Sequence, residues 1–451
     1  MSETKHKRLN ILDLKSNFPK DFGRFIMALK NLINSDDWAR ICGIHGNTFN
    51  PHDKQVKCPT DPAIVTKVGD TGEPFYCKHG VYSFIAWHAP YVYQFELLLN
   101  KHDTSGDNQY ITLPWLDLTD FSDDYSFIND PLISIFYNNK YISTENPLST
   151  AYYYVNGVRT RIVRNGFLSP HNNKQYIQLN TVKKQLQDCL TATNYEEFSS
   201  AANKEVSYTP LEQPHNSLHN IIGGEGGNMS SINIAAFDPL FWLHHCNMDR
   251  FYYSWYSNIT NNFSEPLSSD VISQQTLNEP CAPFFAEDVY STNWGNYEYG
   301  WKNCTGHYAK VSDVIDIYKF PYTYDIIKPM LREGFQSYIS LTNLSIPPES
   351  IEINVYMHLK DSELDKDKNF AGSAFWFGIN QEEINCVRCK NTLTNFRINI
   401  DDYVRRHDIS QSNIGDYNIL IEANGLHLKK IYKEEDFVND GDINIVVPSK
   451  D

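Results

Sequence analysis

No run of about 18 apolar residues occurs in this 451-residue chain, so it offers no membrane-spanning helix. The amino terminus has early basic residues but no apolar stretch of signal-peptide length behind them, and the expected setting is intracellular, in the cytoplasm. Cysteine is scarce. Nine residues, an odd number scattered along the whole length, are too few and too dispersed for a disulfide framework. Positive charge is also in deficit, with 39 Lys and Arg against 55 Asp and Glu and a net charge of −16. That balance excludes a binder of nucleic-acid phosphates and disfavours an anionic membrane surface, because both need clustered basic side chains. Internal repeats are absent.

Hydrophobic residues make up 41% of the chain, enough for a packed interior, and its length predicts two domains. The 29 Tyr and 25 Phe exceed what a minimal core requires and suggest aromatic-lined pockets. Apolar residues recur at helical spacing from Lys15 to Arg40 and again from Val81 to Asn100. Between them, Gly46 to Pro74 reads as a loop, and residues 101–205 carry no clear period. The block 211–258 holds a short His-bearing helix, a glycine-rich loop at 223–227 and a long helix beginning at Asp238-Pro239, a capping pair. After Tyr324 the segments 351–359, 372–379 and 442–448 are rich in β-branched and aromatic residues. The fold class expected is a mainly α domain over 1–325, a linker at 326–345 and a smaller, mainly β domain over 346–451.

Six of the 15 histidines fall into two constellations. His215 and His219 lie four apart, so on a helix they share one face. Downstream are His244 and His245, which point about 100° apart on a helix, so only one of them can join that pair. The other set is His45, His79 and His88. His79 and His88 can meet one metal only if His79 lies on the loop before the helix, which Gly80 permits. His52 competes with His45 for the third place. Two imidazole triads suit copper, zinc, nickel or iron. A zinc hydrolase of the HExxH type is disfavoured, since Asn216 stands where its glutamate would be.

The segments GIHG (43–46), YCKHGVYSFIAWHAPYVYQFE (76–96), PHNSLH (214–219) and AAFDPLFWLHHCNMDR (235–250) together resemble the tyrosinase family of type 3 binuclear copper proteins, most closely its fungal latent pro-forms. The resemblance covers roughly residues 20–325. It implies two coppers, one held by His45, His79 and His88 and the other by His215, His219 and His245, with His244 left to packing. It further implies a Cys77–His79 thioether, Phe241 packed on imidazoles, and Asp249 orienting a ligand ring; the bland alternative for Asp249 and Arg250 is a helix-surface ion pair. Asp117 in LPWLDL resembles the family's PYWDW-like segment, from which Leu116 and Leu118 depart.

The activity so implied is O2-dependent ortho-hydroxylation of monophenols and oxidation of o-diphenols to o-quinones, with a link to melanin-type pigment. Glu212 and Asn216 would hold a water that takes the phenol proton; the alternative for Glu212 is a helix-terminal carboxylate complementing the dipole. Catechol oxidase would share all six ligands and lack the hydroxylating step, while a haemocyanin-like carrier would bind O2 without turnover. Ile232, on the rim segment 229–234, is the residue expected to limit ring size. Tyr322-Thr323-Tyr324 resembles the Y-x-Y motif that closes the catalytic domain of long tyrosinases. Beyond it, Cys386 and Cys389 form a C-x-x-C assigned to copper loading. One ring of Phe375, Trp376 and Phe377 is expected to enter the copper site as a substrate placeholder. The chain would then be a zymogen opened by a protease cutting within 326–345.

Overall fold

The computed structural model describes residues 5–45, 77–120, 124–155, 158–166, 173–200, 209–263, 266–286, 289–290, 308–327, 337–345, 349–378, 393–425, 429–433 and 442–447. His52, Cys386 and Cys389 lie outside these residues, as does the whole loop from Gly46 to Pro74.

Six helices organise the larger part: α1 (Pro19–Ile33), α2 (Asp36–His45), α3 (Phe84–Lys101), α4 (Asn173–Cys189), α5 (Glu212–Gly223) and α6 (Pro239–Ile259). The periodic stretch 15–40 is three helices rather than one. A short helix ends at Asn17, Pro19 opens α1, and Asn34 and Ser35 separate α1 from α2. Pro19 occupies a first-turn position, where a missing N–H costs nothing. Asp238 caps α6 by accepting from the Leu240 N–H at 2.9 Å, and Pro239 follows it. The helix α4 was not legible in the sequence. Its apolar side is interrupted by polar residues that face another part of the chain.

Nearly all the buried apolar side chains of α1, α2, α3, α5 and α6 belong to one core. This core is tied off by a parallel pair of strands, β1 (His6–Arg8) and β2 (Tyr322–Tyr324), which brings the first residues beside the Y-x-Y segment. A second core lies beyond it, between two sheets. One sheet has the order β5-β4-β7-β8 and the other β6-β3-β9, from strands β3 (Tyr338–Ser345), β4 (Ile351–Leu359), β5 (Phe370–Trp376), β6 (Leu393–Asn399), β7 (Tyr417–Gly425), β8 (Lys429–Lys433) and β9 (Asp442–Val446). The linker reading of 326–345 needs correction at its end. β3 is the central strand of the three-stranded sheet, and its Ile339 and Leu341 are buried, so residues 338–345 belong to the β-rich part rather than to a linker.

The two parts meet along α4 through polar contacts. Lys174 and Gln178 both bond Glu352, at 2.9 and 2.6 Å; Lys184 pairs with Asp402 at 2.8 Å; and Asp188 pairs with Arg397 at 3.3 Å. These residues recur at helical spacing, which explains why α4 lacks a clean apolar stripe.

Candidate metal centre

Each histidine of the two triads is placed by a different local device. His45 is the last residue of α2, and His88 lies one turn inside α3. His79 sits on the loop before α3, where Gly80 has φ of +63° and turns the chain. His215 and His219 project from one face of α5, and His245 from α6.

The second triad converges tightly. Nε2 of His245 is 3.2 Å from Nε2 of His215 and 3.2 Å from Nε2 of His219. With all three ligand atoms within 4.8 Å of one another, the set could hold one transition-metal ion. The neighbouring His244 also brings a ring nitrogen within 4.8 Å of those of His215, His219 and His245. It stacks beside His215 with ring centroids 5.1 Å apart, and its Nε2 is buried without a hydrogen-bond partner. In the first triad the ligand atoms of His45, His79, His88 and Cys77 all lie within 4.8 Å of one another. Nε2 of His45 is buried and has no hydrogen-bond partner, as a nitrogen reserved for a metal would be.

The opposite ring nitrogens are anchored. Nδ1 of His45 bonds the Ile232 carbonyl at 2.8 Å, that of His88 the Phe84 carbonyl at 2.7 Å, and that of His219 the Met229 carbonyl at 2.9 Å. His215 Nδ1 bonds Asn216 Oδ1 at 2.9 Å. A carbonyl can only accept, so each Nδ1 carries the proton and each Nε2 presents its lone pair inward. Burial drives the imidazole pKa values down, that of His45 to about 3 and the rest well below the ordinary value, and this keeps the rings neutral and able to ligate. Six neutral imidazoles and one thiol make a donor set for a borderline-soft transition metal such as copper.

The triads face each other. His88 and His245 stack with ring centroids 4.5 Å apart, and the ring of His79 lies 5.5 Å from that of His215. Phe241 packs on His245 at 4.1 Å and also on His45 at 4.7 Å, so it steadies both sets rather than one. Cys77 Sγ is 3.2 Å from His79 Nδ1 and 3.8 Å from its Nε2, on the ring edge that bears Cε1.

The remaining residues singled out in the sequence take the following places. Glu212 is buried; its Oε1 accepts from the Gly80 N–H at 2.6 Å and its Oε2 from the Ser200 hydroxyl at 2.5 Å. Asp249 and Arg250 are no surface ion pair, since both are fully buried. Arg250 reaches Asp117 at 3.2 Å, and Asp249 accepts from Arg8 at 3.1 Å and from the Tyr324 hydroxyl at 2.5 Å. The other Asp249 oxygen and His245 Nδ1 are each buried without a partner, one turn apart on α6. Phe377 stacks on His219 at 4.1 Å with rings 19° apart and lies 5.3 Å from His79. Phe375 joins the same large core, while Trp376 turns into the β core, as alternation along β5 dictates.

Ile232 is buried, and it acts through its backbone. Its carbonyl holds His45, and its N–H donates to the Gly378 carbonyl at 3.1 Å. Sequence reasoning missed the carbonyls of Phe84, Met229 and Ile232 as anchors, because a backbone group leaves no trace in residue type. It also missed Arg8, whose partners are 88 and 241 residues away. Among the described residues no helix is long and apolar enough to cross a membrane.

Residues 35–258 match the family model described as the common central domain of tyrosinase. A tyrosinase from Podospora anserina is 27% identical over 339 residues, 62% of this chain and 57% of that protein, so the chain spans little more than half of that relative's length. The solved holo-protyrosinase of Aspergillus oryzae is similar in fold, with a TM-score of 0.65 at 18% identity over 96% of this chain and 95% of that one. Deoxygenated hemocyanin from Rapana thomasiana is similar to the same degree, with a TM-score of 0.64 at 18% identity over 98% and 99%.

Proposed function

The chain belongs to the tyrosinase family, and from that premise we propose that it is a copper-dependent oxidoreductase of phenols, latent in the intact chain. Its substrates in this reading are monophenols, hydroxylated ortho to the hydroxyl, and o-diphenols, oxidised to o-quinones with O2. The observation that carries the proposal is the pair of imidazole triads facing each other, with the Phe377 ring of the β-rich part laid over His219. Copper, held by the six imidazoles, would supply the electron exchange with O2.

The protein's own part is to orient and to move a proton. Carbonyl-anchored imidazoles hold the donor atoms fixed before any metal arrives, so little reorganisation accompanies binding. Aromatic rings such as Phe84 and Phe241 pack against the buried imidazoles. A phenol must lose its proton before its oxygen becomes a good donor, and Glu212 and Asn216 flank His215. Glu212 accepts from the Gly80 N–H and the Ser200 hydroxyl, and a carboxylate oxygen can take more than one hydrogen bond. We assign to Glu212 and Asn216 the water that takes up the phenol proton. Glu212→Gln then depresses monophenol turnover at least tenfold more than catechol turnover. Equal effects on both substrates remove Glu212 from the proton path.

One observation favours the narrower reading, a catechol oxidase: both Glu212 oxygens are already engaged, holding Gly80 beside His79 and the Ser200 loop. Oxygen uptake by the copper-loaded chain decides among these readings, on a monophenol and on catechol, before and after limited proteolysis within 326–337. Uptake on both substrates only after cleavage supports a latent tyrosinase. Catechol turnover alone reduces the reading to catechol oxidase, and reversible O2 binding without turnover reduces it to a carrier. A Cys77–His79 thioether, which the 3.2 Å approach of Cys77 Sγ to His79 Nδ1 supports, would show as the loss of two hydrogens from the mass of the peptide holding both residues.

A further inference from the structure

The segment Met229–Ile232 is gripped from two sides. Toward the metal centre, the Met229 and Ile232 carbonyls anchor His219 and His45, one imidazole from each triad. Toward the β-rich part, the groups between and beside those carbonyls are bonded in turn. The Ser230 carbonyl accepts from the Ser350 hydroxyl at 2.7 Å, and the Ile232 N–H donates to the Gly378 carbonyl at 3.1 Å. Ser350 then closes the circuit, since its hydroxyl oxygen accepts from the Gly378 N–H at 2.8 Å. Ser350 is buried, and Gly378 immediately follows the Phe377 ring that lies on His219.

We propose that Ser350 is the latch of the intact chain: one hydroxyl that fixes Phe377 over the metal centre and locks the same segment that holds His219 and His45. This inference rests on the latency reading above and names the contact that enforces it. The physical case is one of geometry. A serine hydroxyl both donates and accepts, so it can join a carbonyl on one part to an N–H on the other in a single bridge. Loss of the hydroxyl leaves two buried backbone groups without that partner, and each such group favours opening toward water. The polar contacts along α4 hold the two parts together broadly, but none of them touches the segment 229–232 or the Phe377 backbone. Ser350 is therefore a positioning residue for Phe377, acting through the Ser230 carbonyl and the Gly378 N–H.

The test uses the full, copper-loaded chain and two readouts. In Ser350→Ala, hydrogen exchange of the segment 375–378 rises about tenfold, the factor that accompanies loss of roughly one net hydrogen bond. Catechol turnover of the uncleaved chain rises by a similar factor toward the cleaved level. Because Ser350 acts only by seating Phe377, Ser350→Ala combined with Phe377→Ala turns over no faster than Phe377→Ala alone. Unchanged exchange at 375–378 in Ser350→Ala, or additive gains in the double variant, overturns the latch. Should Ser350→Ala unfold the β-rich part, fast exchange throughout β4 and β7 reveals it. Ser350→Thr, which keeps the hydroxyl, then decides, because slow exchange at 375–378 supports the latch and fast exchange with β4 intact overturns it. If the uncleaved wild-type chain is already as active as the cleaved one, the latency reading fails, while the exchange readout still tests the latch by itself.

Discussion

Arg8 joins the two helices that carry one ligand from each triad, and its removal has a predictable cost. Its Nε lies 2.7 Å from Glu96 on α3, the helix of His88, and its Nη1 lies 3.1 Å from Asp249 on α6, the helix of His245. The guanidinium sits 3.4 Å above the Tyr322 ring, and all three charged side chains are cut off from water. Arg8→Met keeps much of the volume and leaves two buried carboxylates without their cation. Breaking a buried ion pair in this way costs about 3–5 kcal/mol. Burial already pushes the Asp249 carboxyl up to about 6 despite Arg8 and the Tyr324 hydroxyl, and without Arg8 it rises further. A carboxyl whose folded-state pKa exceeds its unfolded value destabilises the fold above that pKa, and the penalty fades as pH falls and the group protonates. The loss in Arg8→Met relative to wild type is therefore largest near pH 8. It shrinks by up to about 1.4 kcal/mol per pH unit as Asp249 protonates on descending toward pH 5. Denaturant unfolding of both chains at pH 8, 6.5 and 5 measures this difference. A penalty under about 1 kcal/mol at pH 8, or one that does not shrink on acidification, refutes the account of a charge clamp.

Two further outcomes follow from the imidazoles. In the metal-free chain the buried histidines have folded-state pKa values below the unfolded value, that of His45 about 3, so the unfolded chain takes up more protons below about pH 6.5. Stability is then fully present above that pH and falls by about 1.4 kcal/mol per pH unit per imidazole below it. Denaturation midpoints that stay level from pH 7.5 to 5 contradict the buried neutral triads. Copper analysis separates the adjacent histidines. His245→Ala lowers the bound metal from two ions to about one per chain, because it removes the nitrogen at the centre of the second triad. His244→Ala retains both, and loss of metal from that variant instead reverses the assignment.

Residue type and spacing alone carried the metal centre a long way. The four-residue interval of His215 and His219, the requirement that His79 precede the helix of His88, and the Asp238-Pro239 start of α6 follow from helical geometry and local backbone chemistry. Those rules act within a few residues, so the sequence displays them. The sequence could not choose between His244 and His245, which differ only in the direction a helix turns them. The packing of α5 against α6 brings Nε2 of His245 to 3.2 Å from those of His215 and His219, with a ring nitrogen of His244 within 4.8 Å of the same group. Nor could it choose among Phe375, Trp376 and Phe377. Strand alternation splits them into two faces, but which face meets the metal centre depends on how the β-rich part docks. Helix α4 stayed hidden because its partners Glu352, Arg397 and Asp402 are supplied by that docked part and break the apolar period. Arg8, the carbonyls of Met229 and Ile232, and the Ser350 bridge are likewise contacts between segments remote in the chain. Local chemistry thus determined which residues could bind metal, and long-range packing decided which of them converge, which are held in place and which ring covers them.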